Sequence, residues 1–219
     1  PGNSGDASRN GAADGGAGGA ALNAGAAGDN GLAIITYGTG SLVNQTLSWA
    51  KFNQTTGTID SANPGNGVCS GWCTSSAYNL PAARSNFSLV AYNGFLYAFG
   101  GVDSTGTRQS TVYIAKIGAN GEPRLWHPTD TNKNNWVYWY TDTALSSIRS
   151  DTAAVAYNNR MYLVGGRSTS GTPVSTVQIA DINPTGTLGT WTSSTALSGN
   201  LYGHDAKVYN DRLYVIGGA

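Results

Sequence analysis

Arg84-Ser-Asn-Phe-Ser-Leu-Val-Ala-Tyr-Asn-Gly-Phe-Leu-Tyr-Ala-Phe-Gly-Gly101 returns 65 residues later as Arg149-Ser-Asp-Thr-Ala-Ala-Val-Ala-Tyr-Asn-Asn-Arg-Met-Tyr-Leu-Val-Gly-Gly166. A third copy, Ala206-Lys-Val-Tyr-Asn-Asp-Arg-Leu-Tyr-Val-Ile-Gly-Gly218, follows after 52. In each copy two apolar runs flank an Asn-Gly-like pair, the dipeptide that tight hairpin turns prefer. The second run is apolar on both faces, which implies a sheet sandwiched between neighbours.

A second series keeps the 65-residue offset: Thr46-Leu-Ser-Trp-Ala-Lys51, Thr111-Val-Tyr-Ile-Ala-Lys116 and Thr176-Val-Gln-Ile-Ala-Asp181. Trp126 and Trp191 keep it too. Self-similarity at a fixed period marks a repeat architecture. Each unit therefore reads as a four-stranded antiparallel sheet. First strands such as Ser88 to Tyr92 lead into second strands such as Phe95 to Phe99. Third strands are expected near Thr111 to Ile117 and Thr176 to Ile182. Fourth strands are expected near Trp136 to Thr141 and Thr190 to Ser194, with a degraded counterpart near Gly71 to Ser75. The double glycines Gly100-Gly101, Gly165-Gly166 and Gly217-Gly218 suit the place where a strand leaves a crowded region that bulky side chains cannot enter.

Hairpin, double glycine, third strand and then tryptophan resembles the kelch repeat, whose units are blades of a β-propeller. The resemblance covers roughly residues 40 to 218. It implies an all-β fold of about three kelch-like blades, an incomplete propeller, over residues 40–219. The units run to 65 residues where kelch units take about 50, and the polar residue usual before the first strand is a histidine only at His204. Closed propellers have about four to eight blades. Further blades of the same polypeptide, or other copies in an assembly, are expected to complete the packing.

Residues 1–39 have a different character. Up to residue 30 they are almost wholly Gly, Ala, Asn, Asp and Ser, with Leu22 the one large apolar side chain. Such a stretch cannot bury enough surface to collapse. Gly16, Gly19, Gly25, Gly28 and Gly31 nevertheless fall on a three-residue period, that of the polyproline-II helix. Disorder and a polyglycine-II-like bundle are both open readings, with a strand at the exit through Asn30-Gly-Leu-Ala-Ile-Ile-Thr-Tyr37. The segment resembles the ends of glycine-rich regions in phage tail-tip and bacterial surface proteins.

Lys plus Arg and Asp plus Glu each total 12, and charged residues make up 11% of the 219, against about a quarter in an average domain. That balance argues against nucleic acid as a partner and against a polybasic membrane anchor. No apolar run reaches the roughly 18 residues of a membrane-spanning helix. Glu122 is the only glutamate, and abundant Gly, Thr, Ser and Asn favour strands and turns over helices. Cys69 and Cys73, the only cysteines, stand close enough for a local disulfide, with two reduced thiols as the alternative. Low charge and a disulfide together suggest an extracellular or cell-surface protein.

In propeller order the loops after second strands and those before first strands share a face. That face gathers Arg84, Asp103, Arg108, Arg149, Asp151, Arg167, Tyr202, His204 and Asp205, a kit for acidic or sugar-like ligands. Alternatively, Arg84 and Arg149 only hold carbonyls at the rim. A second candidate is Trp136-Val-Tyr-Trp-Tyr140, whose alternation sets Trp136, Tyr138 and Tyr140 on one side and Trp139 on the other. An exposed strip of that kind stacks on sugars or docks a protein, whereas a packed outer strand does neither. Only His127 and His204 exist, which leaves no multi-histidine metal centre, and no catalytic set or cofactor is expected. The leading expectation is a non-catalytic binding or adhesion module with a protein or glycan ligand. A structural subunit of an extracellular filament or surface layer is one alternative. A glycan-active enzyme using Asp103, Asp151 and Asp205 is the other.

Overall fold

The computed structural model describes residues 32–35, 45–53, 55–59, 71–119 and 121–219. The described residues are all-β, and their strands form four antiparallel sheets. Blade 1 contains β1 (Leu32–Ile35), β2 (Ser48–Lys51) and β3 (Cys73–Thr74). Blade 2 contains β4 (Ser88–Tyr92), β5 (Phe95–Phe99) and β6 (Val112–Ile117), with β7 (Pro123–Arg124) and β8 (Trp139–Asp142) both on the outer edge of β6. Blade 3 runs β9 (Ala153–Tyr157), β10 (Arg160–Val164), β11 (Val177–Asp181) and β12 (Thr192–Ser194). Blade 4 has β13 (His204–Tyr209) and β14 (Arg212–Gly217).

The hairpins fall where the repeat places them, because Asn93, Asn158 and Asn210 all take left-handed φ values of 47° to 48°. Asparagine tolerates that region better than most residues, and the turn fixes the register of both strands. The first strands β4, β9 and β13 lie side by side, as expected of strands lining a propeller axis.

Two ladders of hydrogen bonds run between those first strands. At one end the N–H of Asp151 donates to the carbonyl of Asn86 at 2.9 Å, and that of Gly203 to the carbonyl of Asp151 at 2.9 Å. All three residues occupy the same place in their units, and all have positive φ. At the other end the tyrosine closing each first strand reaches the next blade's turn. Tyr92 Oη bonds Asn159 Oδ1 at 3.2 Å, and Tyr157 Oη bonds Asp211.

Strand β5 is buried along its whole length. Phe95, Tyr97 and Phe99 face blade 3 and join Met161, Leu163 and Trp191. Leu96 and Ala98 face blade 1 and join Leu47, Trp49 and Cys73. Tyr97 Oη donates to the carbonyl of Gly186 in blade 3 at 2.9 Å, so its buried hydroxyl keeps a partner.

The double glycines have a second reason beyond crowding. Gly101 donates its N–H to Arg149 O at 2.9 Å, and Gly166 to Leu201 O at 2.7 Å, which ties each second strand to the chain entering the next blade. A Cβ on Gly100 would stand 2.2 Å from Arg149 O, and one on Gly165 would stand 2.5 Å from Leu201 O.

Residues 32–35 form a strand at the exit of the glycine-rich segment, as expected, and pair with β2 from Leu32↔Lys51 to Ile35↔Ser48 in the sheet of blade 1. The rest of the reading of residues 1–39 lies outside the described residues. Two other expectations need correction. The fourth strand of blade 2 begins at Trp139, not Trp136, because residues 125–138 fold out as a hairpin closed by a Trp126↔Val137 bridge. The aromatic residues there do not share one side either. Tyr138 packs on Tyr78 with ring centroids 4.8 Å apart, alongside the blade 1 cluster, whereas Tyr140 lies 5.8 Å from Trp126 on the blade 3 side.

Candidate binding site at the axial rim

The repeat register separates two kinds of arginine. Arg84 and Arg149 stand at equivalent positions and are each 7% exposed. Arg84 Nη2 donates to Thr111 Oγ1 at 3.4 Å and to Tyr113 Oη at 3.3 Å. Arg149 Nη2 donates to Thr176 Oγ1 at 2.7 Å. Nη1 of each holds the carbonyl of the preceding residue, Ala83 or Ile148. These arginines fasten the entry of a blade to its own third strand, and burial lowers the pKa of Arg149. They serve the scaffold and do not present themselves to a ligand.

Arg108 and Arg167 break the register, since the equivalent positions hold Pro173 and Val102. The blade does not require them. Arg108 Nε donates to Ser150 Oγ at 3.0 Å, and Ser150 Oγ donates to Asp151 Oδ2 at 2.7 Å. Asp151 also accepts from Asn86 Nδ2. Arg167 exchanges backbone hydrogen bonds with Ser150, N–H to O at 3.1 and 2.8 Å, and its guanidinium lies 3.7 Å over the Tyr202 ring. Ser150 therefore joins both arginines, one through its side chain and one through its backbone. A Cβ on Gly171 would meet Arg108 Nη2 at 3.0 Å, which places the Arg108 side chain beside the blade 3 loop 168–172.

The cluster is half-buried and carries two cations to one engaged carboxylate. Guanidinium groups recognise carboxylates and other anions through paired donors, and the Tyr202 face holds Arg167 by a cation–π contact.

The other candidates are dispersed. Asp103 closes its own loop, accepting from Thr105 Oγ1 at 2.6 Å and Thr107 N–H at 3.0 Å, with Gln109 Nε2 on its second oxygen at 2.6 Å. These bonds, the Thr105 hydroxyl first, lower its pKa. Asp205 pairs with Lys207 at 2.9 Å. The three loop aspartates thus each have partners of their own. His204 is 5% exposed, and desolvation lowers its pKa. It packs beneath the rim against Gly165 and Gly218.

Trp136 lies in the folded-out hairpin, donating its indole N–H to Asp130 O at 2.7 Å, with Lys133 Nζ 5.4 Å from its ring. Tyr138 is packed inward as described above, so the two form no common strip. Cys73 is buried in blade 1, and Cys69 lies outside the described residues. Ser150 and Asn86 were missed as site residues because neither is conspicuous alone. Their signal is the repeat: Ser150 stands between Arg149 and Asp151, and Asn86 is the equivalent of Asp151 one unit earlier.

With this geometry in place, the comparisons agree on the class of repeat. The Kelch motif family model matches residues 83–114, the span from the entry of blade 2 into β6. Kelch repeat protein M-T8 of Myxoma virus (strain Lausanne) is 29% identical over 141 residues, 64% of this chain and 23% of that protein. Kelch-like protein 36 of Rattus norvegicus and of Mus musculus are each 25% identical over 140 residues, 64% of this chain and 20% of theirs. The chain thus carries a kelch motif and has distant kelch-repeat homologues. It spans about a fifth to a quarter of the length of the curated relatives it matches. These comparisons lend no support to the likeness of the glycine-rich segment to phage tail-tip and bacterial surface proteins.

Proposed function

We propose that the chain is a non-catalytic binding module of an exported surface protein, and that it holds a carboxylate-bearing protein or glycan ligand at the rim formed by Arg108, Ser150, Arg167 and Tyr202. One observation carries the reading. Two arginines that the repeat does not require are joined through a single serine, while the arginines it does require are buried in hydrogen bonds to their own blades. Fold alone does not define a ligand; the argument rests on those side chains.

The test is a glycan array that includes uronic and sialic acids, run beside a panel of acidic peptides. It compares the wild-type chain with Arg108→Ala and Arg167→Ala. Each substitution removes a charge-assisted contact, and a loss of about tenfold in affinity is expected. Circular dichroism should not change, because neither side chain holds a blade together. Unaltered binding by the double variant, or a measurable glycan turnover abolished by Asp151→Asn, would reverse the proposal.

A further inference from the structure

Blade 2 departs from blade 3 at three neighbouring positions. At the 65-residue offset, Phe95, Lys116 and Arg124 correspond to Arg160, Asp181 and Gly189. In blade 3 the place is neutral, because Arg160 Nε and Asp181 Oδ1 pair at 2.9 Å. In blade 2 it is doubly cationic. Lys116 stands directly across from Phe95 on one strand and from Arg124 on the other, so all three side chains lie on the side of the sheet that faces blade 3. Lys116 Nζ is 5.5 Å from the centre of the Phe95 ring, and Arg124 is exposed. Neither cation has an ion-pair partner among the described residues. The place is at the end of the sheet that carries the Asn93–Gly94 hairpin, where Ile117 donates its N–H to Gly94 O at 2.8 Å. The rim lies at the opposite end, beyond Phe99.

We infer that Lys116 and Arg124 form a second anion site, separate from the rim, for a phosphate group, free or as a monoester. Like charges directly across an antiparallel pair are unfavourable, so blade 2 carries a cost that blade 3 avoids and that a bound anion removes. A phosphate monoester carries about −1.5 to −2 charges near neutral pH, enough to balance both cations, whereas a carboxylate balances one. The guanidinium offers paired N–H donors and the ammonium a mobile point charge, which together suit an anion with three acceptor oxygens. The blade 3 loop after β11 walls the place on one side. A Cβ on Gly186 would come within 2.4 Å of the Phe95 ring, and the same loop is held by a bond of 3.1 Å from Asn183 Nδ2 to Thr187 Oγ1.

The experiment titrates inorganic phosphate, and in parallel a phosphorylated monosaccharide, into the isotope-labelled 219-residue chain. Ionic strength is held constant with chloride, and backbone amide shifts are followed by NMR. Saturable shifts are expected at Lys116 and Arg124. Lys116→Asp, which installs the residue that blade 3 carries at this position, should weaken phosphate about tenfold or more. Arg124→Gln, at an exposed position, should weaken it as well and serves as the second variant should the first fail to fold. The Arg108→Ala, Arg167→Ala double variant should leave the shifts at Lys116 unchanged, which separates this site from the rim. Saturation by both probes supports a monoester ligand; saturation by inorganic phosphate alone supports the site and assigns it to the free ion. No saturable shift at Lys116 and Arg124, an equal response to chloride, shifts confined to the rim, or unaltered binding by the folded Lys116→Asp or Arg124→Gln variant would overturn the inference.

Discussion

Blade 3 and blade 4 share a hairpin design and differ in what covers it. Met161, Leu163 and Val164 are buried at 0 to 1%, while their equivalents Leu213, Val215 and Ile216 range from half-buried to 76% exposed. Both strands are written to be apolar on both faces. The difference teaches that a second strand in this repeat has little burial of its own. Its two faces are filled by the blades before and after it, and its outer edge is taken by the third strand. Stability is therefore shared between neighbours, as in other repeat proteins.

The sharpest way to break that comparison is to truncate equivalent side chains. Phe99 ends β5 and Ile216 is its repeat equivalent in β14, and Phe99 lies at 5.8 Å edge-on to Trp191 of the next blade. Phe99→Ala is expected to cost about 3–5 kcal/mol in urea unfolding. Ile216→Ala should stay within about 0.5 kcal/mol, as surface substitutions do. Similar costs at both sites would mean that blade 4 is covered after all.

Glycine substitutions sharpen the same contrast. Gly100 and Gly217 both have positive φ, at 59° and 74°, so alanine is strained at either. A Cβ at Gly100 also collides with the backbone of blade 3, whereas at Gly217 it meets open space. Gly217→Ala is expected to cost about 1 kcal/mol from backbone conformation alone. Gly100→Ala should cost several times that, measured by thermal unfolding.

Much of this was readable from residues, and the exceptions have physical causes. The hairpins of blades 2 to 4 were visible because the Asn-Gly-like turn, the apolar runs and the paired glycines are local signals, and local signals survive without tertiary context. The true start of the fourth strand was not visible, because Trp136-Val-Tyr-Trp-Tyr140 alternates as a strand does, yet Val137 pairs with Trp126 and leaves the sheet. The placement of β1 was hidden by its glycine-rich approach, and its membership of blade 1 depends on pairing with Ser48–Lys51. At the rim the sequence showed which arginines face the loops but not which of them the blade consumes. That distinction emerges only from the bonds of Arg84 and Arg149 to third-strand threonines.

A Cys69–Cys73 bridge, expected from the sequence, would restrain the chain just before β3 of blade 1. Its intact mass should rise by two protons on reduction, with about 2 kcal/mol of stability lost. Native material in which both thiols label freely would remove the bridge and weaken the proposal of an exported protein.

The smallest expected effect is a pH dependence at the boundary of blades 3 and 4. His204 is buried, and desolvation holds its imidazole below the ordinary value of 6.5. The unfolded chain therefore takes up a proton first as pH falls through that value. Stability is fully present above about pH 6.5, declines below it, and levels off once the folded imidazole titrates. His204→Thr, which copies Thr152 of blade 3, should flatten that part of the profile. An unchanged profile would place the titrating group elsewhere.

The central claim is that equivalent strands differ because a blade is completed by its neighbours, and amide exchange reads it directly. In native-state hydrogen exchange followed by mass spectrometry, residues 160–164 are expected to exchange only through global unfolding. In the 219-residue chain, residues 212–217 should open locally and exchange about a hundredfold faster or more. Equal protection of the two strands would contradict the account.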